Sequence, residues 1–267
     1  MKTKFLIAFA FVATLFSCSS DDGGSGGGIT NYFPLEDGYF WKYNVSLDAT
    51  AAGQDHLFVG NDTLIDATTY KIMKTEAQAI GFFSNSLRHN GLRNDGSSVK
   101  MTGKLGLNLG GTFNLEIPVS NFVIFNESAS NNQELSVTDG TTTQTVGTFP
   151  LTINYILKST SIETLESYTT PAPDSKTYTN VKKVKMLMNM EVTSTYEVAP
   201  GFSLPITIMD AQDVVLSTQY YAKNIGMVYT NTVIDYELNA LPGGATLPIP
   251  SSGTQVQDEF LDIYSVE

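Results

Sequence analysis

Histidine, cysteine and carboxylate side chains carry most hydrolytic and metal chemistry, and this chain holds two histidines, one cysteine and 27 acidic residues. With only His56 and His89, a three-histidine zinc site is impossible, and the sequence sets no carboxylates at a spacing that would complete a mixed one. Nucleophile-elbow, P-loop, dinucleotide-loop and His-Glu-x-x-His patterns are absent. The glycine-rich run Gly103 to Gly111 has the wrong spacing for a phosphate cradle and reads as strand and turn. Asp62 with Asp66, and Asp210 with Asp213, sit close enough in sequence to share a calcium ion, but neither pair follows the EF-hand loop spacing. Glycosidases need only two carboxylates at a suitable separation, and the sequence singles out no such pair. No catalytic residue, metal ligand or cofactor site is assigned; a hydrolase triad through His56 or His89 stays open, and the reading leans to a non-enzymatic role.

Two groups of side chains point to binding. Met186, Met188 and Met190 alternate along one strand face, and methionine adapts its shape where a surface accepts varied apolar partners. They are the candidate lining for an apolar or amphipathic ligand; the same stripe also suits an irregular β core. Tyr220, Tyr221 and Tyr229 either stack on sugars or pair across strands.

Cys18 has the most specific setting. Lys2 and Lys4 precede an apolar run of 12 residues, Phe5 to Phe16, which matches a secretory signal and is too short to span a bilayer. Leu15-Phe16-Ser17-Cys18 resembles the lipobox of lipoprotein precursors, which implies cleavage after residue 17 and acylation of Cys18. Two or three acyl chains anchor a protein stably where one holds it marginally. As the chain's one cysteine, it leaves the folded part with no internal disulfide. Ser19 to Asp22 and the glycine-rich Gly23 to Gly28 read as a flexible coil, so 18–29 forms a tether and 30–267 one β-rich domain. Ser19-Ser20-Asp21-Asp22 is similar to the surface-export signal of Bacteroidota lipoproteins, which implies an outer-membrane location facing the cell exterior.

Loss of Lys2 and Lys4 with the signal leaves 13 of 15 basic residues against 27 acidic ones, a formal charge of −14. Such a surface repels phosphate backbones and anionic lipid, so neither nucleic acid nor an electrostatically bound membrane is an expected partner. The expected membrane contact is the lipid on Cys18. Lys182, Lys183 and Lys185 read as a solvated strand face.

Strands must position all of these groups. Tyr39 to Leu47 alternates with Tyr39, Trp41, Tyr43, Val45 and Leu47 on one face, and Val184 to Val198 alternates over a longer span. His56 to Val59, Thr69 to Thr75, Asn121 to Phe125, Pro150 to Lys158, Asp213 to Ala222 and Met227 to Leu238 read as further strands. Gly60-Asn61-Asp62, Asn90-Gly91 and Asp95-Gly96 read as turns. Gln133 to Gly147 reads as a long polar loop, as do Pro171 to Asp174 and Leu241 to Gly253. No segment shows a clean helical period over 12 residues. The sum is an all-β chain: a single antiparallel, strongly curved sheet or open half-barrel.

Asn31-Tyr32-Phe33-Pro34-Leu35, followed by Gly38, Trp41 and Tyr43, resembles the opening of many uncharacterised Bacteroidota lipoproteins. Tyr220 to Val228 resembles the hairpin that closes such domains. These domains look similar to the curved sheets of lipoprotein carriers of the LolA and LppX type, which implies an apolar cavity; a helix plugging the sheet is the feature this sequence lacks. The expected function is therefore an outer-membrane lipoprotein that binds an apolar or amphipathic ligand, or a partner protein. A carbohydrate-binding or glycan-processing surface lipoprotein is the alternative.

Overall fold

The computed structural model describes residues 32–108, 114–147, 149–199, 201–242 and 246–266. The signal segment, Cys18 and the tether lie outside the described residues.

Among the described residues, twelve strands and one short helix follow one another along the chain. They are β1 (Phe40–Leu47), β2 (Thr50–Ile65), β3 (Thr68–Thr75), α1 (Phe82–Leu87), β4 (Gly91–Asp95), β5 (Ser98–Asn108), β6 (Asn114–Asn126), β7 (Gln133–Val146), β8 (Phe149–Thr169), β9 (Thr177–Ala199), β10 (Phe202–Ala222), β11 (Gly226–Glu237) and β12 (Ser252–Ser265). All strands join one antiparallel sheet in the order β6-β5-β4-β3-β2-β1-β12-β11-β10-β9-β8-β7. The first and last strands pair in the middle of the sheet, Trp41 opposite Tyr264 and Leu47 opposite Gln257. The free edges are β6 and β7, consecutive in sequence and brought together as the sheet curls. The Ser159 hydroxyl donates to the Val123 carbonyl at 2.5 Å across this seam, and Lys182 Nζ donates to the Ala129 carbonyl at 3.3 Å. The result is an all-β meander nearly closed into a barrel, which hides most strand edges from solvent.

The inward face follows the period-2 patterns. Trp41, Tyr43 and Val45 are buried on β1, and Val184, Met186, Met188, Met190 and Val192 on β9. The segment before β1 is part of this core: Phe33 packs on Trp41 and Tyr221, and Tyr32 on Phe125, with ring centroids 5.5–6.1 Å apart. These rings stop one end of the sheet. Trp41 Nε1 donates to the Ile225 carbonyl at 2.6 Å. Gly226 beside it has φ +113°, and a Cβ there would come within 2.8 Å of Trp41 Nε1, so both conformation and space demand glycine.

Several expectations are corrected. Gly60-Asn61-Asp62 is not a turn: β2 runs through it, with a shift of register between Val59 and Asp62, and the chain reverses instead at Asp66 and Ala67, both at positive φ. A Cβ on Gly60 would meet the Ile72 carbonyl at 2.9 Å, so this glycine serves close strand approach. Asn90-Gly91 starts β4 rather than closing a hairpin, and Asn90 is buried, its amide nitrogen donating to the carbonyls of Ser86 and Lys104 at 2.6 and 2.8 Å. Gln133 to Val146 is strand β7, not a loop; along it only Val146 is buried. An edge strand with both faces largely solvated has no apolar alternation to betray it, and its threonines supply β propensity alone. Lys182 is buried rather than solvated, while Lys183 and Lys185 are half-buried.

Candidate ligand-binding cavity

The helix that the sequence did not announce lies against the inner face of the sheet. Phe82, Phe83, Ser84, Ser86 and Leu87 of α1 are all buried. At six residues it is too short to show a helical period, and too short to persist without tertiary contacts. Two buried carboxylates from distant strands hold its entry. Asp55 of β2 accepts from the backbone N–H of Ile80 at 2.9 Å and of Gly81 at 2.8 Å. Glu259 of β12 accepts from the N–H of Phe83 at 2.6 Å, the N–H of Ser84 at 3.2 Å and the Ser84 hydroxyl at 2.7 Å. Gln257 Oε1 takes the N–H of Phe82 at 2.8 Å. The first-turn donors that a helix cannot satisfy itself are thus met by side chains of the sheet. Burial pushes the Glu259 carboxyl up to about 7, its hydrogen bonds pull it down, and the charge of Asp55 adds to the rise. Burial likewise raises Asp55, against the pull of the Ile80 and Gly81 N–H groups. Both carboxylates accept hydrogen bonds from the backbone at the entry of α1.

A belt of buried polar groups runs on from Glu259. Tyr221 OH donates to Gln219 Oε1 at 2.6 Å, Gln219 Nε2 to the Ser217 hydroxyl at 3.2 Å, and the Thr232 hydroxyl to Ser217 Oγ at 2.9 Å. Gln257 Nε2 reaches Gln255 Oε1 at 2.7 Å. Each member finds a partner, which is what makes a buried polar network tolerable.

Beyond this belt, away from the aromatic plug, the sheet opens into a cavity of about 800 Å³. Its walls combine apolar side chains of three strands, Leu107, Leu115, Ile234 and Tyr236, with Ile80 and Phe82 at the start of α1. Toward solvent the lining carries Gln78, Asn85, Arg88 and Gln255, and buried Gln257 of the belt adjoins it. Gln78 Nε2 donates to Asn85 Oδ1 at 3.0 Å, and Arg88 donates to Gln78 Oε1. The volume lies within the range of small-molecule sites, and a barrel mouth is a recurrent place for them.

The groups singled out in the sequence are distributed elsewhere. Met186, Met188 and Met190 are at most 3% exposed and belong to the continuous core; none lines this cavity. Tyr221 is inside the sheet with no exposure. On the outer face Tyr220 stacks on Tyr168 with centroids 3.9 Å apart, and Lys183 Nζ lies 5.6 Å from the same ring's centroid. Tyr229 packs on Phe260 at 4.9 Å and donates to Asp258 at 2.7 Å. A shallow cleft of about 450 Å³ adjoins this strip. His56 packs edge-on to Phe40 at 5.1 Å, and His89, exposed at φ +64°, makes the turn after α1. Asp62 pairs with Lys71 at 2.5 Å, and Asp213 accepts from Asn189 at 2.8 Å. Among the described residues no cluster of three or more histidine, cysteine or acidic side chains is placed to hold a metal ion.

The sequence did carry one overlooked sign of the interior carboxylates. Asp55 is in phase with Leu57 and Val59, and Glu259 with Leu261, all of them buried. A carboxylate on the dry face of a strand must find donors. Compared with family models, curated proteins and solved structures, the chain matches none.

Proposed function

We propose that this protein is a non-enzymatic lipoprotein, held to the outer membrane through lipid on Cys18, whose barrel-like sheet binds an amphipathic small molecule at its open mouth. The observation that carries the binding reading is the cavity of about 800 Å³ with apolar strand residues in its walls and amide and guanidinium groups at its rim. The packed methionine stripe moves the ligand from the β9 face to the mouth. A glycan-handling surface has less support, because the rings of Tyr220 and Tyr168 cover one another and Tyr221 is internal.

Native mass spectrometry of the full chain, gently extracted from cell envelopes, tests this reading. A single bound amphiphile is expected, absent from Gln255→Trp, which places an indole at the mouth. Ligand-free protein that also takes up no added amphiphile would remove the proposal. Labelling with a fatty-acid precursor tests the anchor separately: Cys18→Ser should lose both label and membrane association.

A further inference from the structure

Arg88 gives the cavity a chemical polarity that its shape alone does not. We infer that the ligand bound there is an amphipathic carboxylate, with its anionic head at Arg88 and its hydrocarbon body against Leu107, Leu115 and Ile234. This deepens the binding reading above and rests on it.

The argument begins from charge. The chain has 27 acidic residues for 15 basic ones, and its other arginine, Arg93, pairs with Asp95 at 3.3 Å. Arg88 has no carboxylate partner among the described residues; its guanidinium donates to the neutral Gln78 Oε1. The acidic side chain at the cavity edge, Glu116, is taken by Lys104 at 2.6 Å. The lining therefore holds a guanidinium with no carboxylate partner among the described residues and a carboxylate that already has a cationic one. A guanidinium has five N–H donors in a planar fork that matches a carboxylate in two parallel bonds, and one contact to Gln78 leaves most of them unused.

Position agrees with charge. Arg88 follows the last residue of α1, and its backbone N–H donates to the Ser84 carbonyl at 3.1 Å, so its place at the rim is fixed by a helix that is itself held through Asp55 and Glu259. Asn85, one turn earlier, is also at the rim, and its Oδ1 accepts from Gln78, which orients its amide nitrogen as a further donor. Leu107, Leu115 and Ile234 are all buried apolar residues on strands facing this segment. A head group bonded to Arg88 with its chain laid along the strand walls meets Leu107, Leu115 and Ile234, whereas a cationic head would sit against the guanidinium and a neutral head would leave it without an anionic partner.

The test is a titration of the full chain, below micelle concentrations, with dodecanoate, dodecanol and dodecyltrimethylammonium, each followed by calorimetry. Wild-type protein should bind dodecanoate about tenfold or more tighter than dodecanol and bind the cationic amphiphile weakest. Arg88→Gln should weaken dodecanoate about tenfold to a hundredfold, on the scale of a charge-assisted hydrogen-bonded pair, and leave dodecanol unchanged; Arg88→Lys should fall between. Equal affinity for dodecanoate and dodecanol, insensitive to Arg88→Gln, would overturn the head-group assignment while leaving the cavity in place. Binding that persists undiminished in Gln255→Trp, or no binding of any of the three, would overturn the cavity and this inference together.

Discussion

Glu259 is fully buried, and its negative charge is held by two backbone N–H groups and one hydroxyl. Its carboxyl is pushed from the ordinary 4.5 up to about 7 in the folded chain, first by burial. The folded state thus binds this proton more tightly than the unfolded state does. The resulting stabilisation is complete below about pH 4.5 and is lost as pH rises through about 7. Asp55, raised in the same direction, adds to the trend. Unfolding in urea should therefore show wild-type protein more stable at pH 5 than at pH 8, by up to about 3 kcal/mol from Glu259. Glu259→Gln, neutral throughout, should lose most of that difference. An unchanged pH dependence in Glu259→Gln would show that the carboxylate does not titrate in this window. Neither residue was legible as a pair, because Asp55 and Glu259 are far apart in sequence and meet through a helix of six residues. Trp41 and Tyr43, by contrast, were legible as core, since they alternate in an uninterrupted strand whose burial their own apolar surface drives.

At the level of elements, β9 shows where alternation is a sound guide and where it stops. The stripe Met186, Met188 and Met190 was placed correctly on one face of a long strand, but the pattern does not distinguish a face packed against its own core from one lining a cavity. The structure packs Met188 and Met190 with no exposure at all. Met188→Ala should therefore cost about 2–5 kcal/mol of stability, the range for a buried methionine truncated to a methyl, and leave amphiphile binding at the mouth unchanged. Loss of binding without loss of stability in this variant would return the ligand to the methionine face. Strand β7 teaches the opposite lesson. Its sequence, rich in Thr, reads as a loop because neither of its faces is dry, and pairing with β8 from Val146 opposite Phe149 to Gln133 opposite Ser161 is what makes it a strand. Nothing local announces such pairing.

At the scale of the whole molecule, the sheet closes by pairing its first and last strands and leaves its seam between β6 and β7. That choice was not legible, since every strand-to-strand connection is also compatible with a seam at the chain ends. It has a measurable consequence. Amides of β7, solvated on most of its side chains and paired on one edge, should exchange hydrogen orders of magnitude faster than those of β9, which is paired on both edges over a dry inner face. Uniform protection across the sheet would contradict an open seam. The same closure sets the aromatic plug at one end and the cavity at the other, which is the arrangement on which the binding account depends. Its most direct test is nuclear magnetic resonance with methyl-labelled Leu, Ile and Met during titration with dodecanoate and dodecanol. The account predicts shifts at Leu107, Leu115 and Ile234 with Met186, Met188 and Met190 silent; shifts confined to the methionines, or none anywhere, would contradict it.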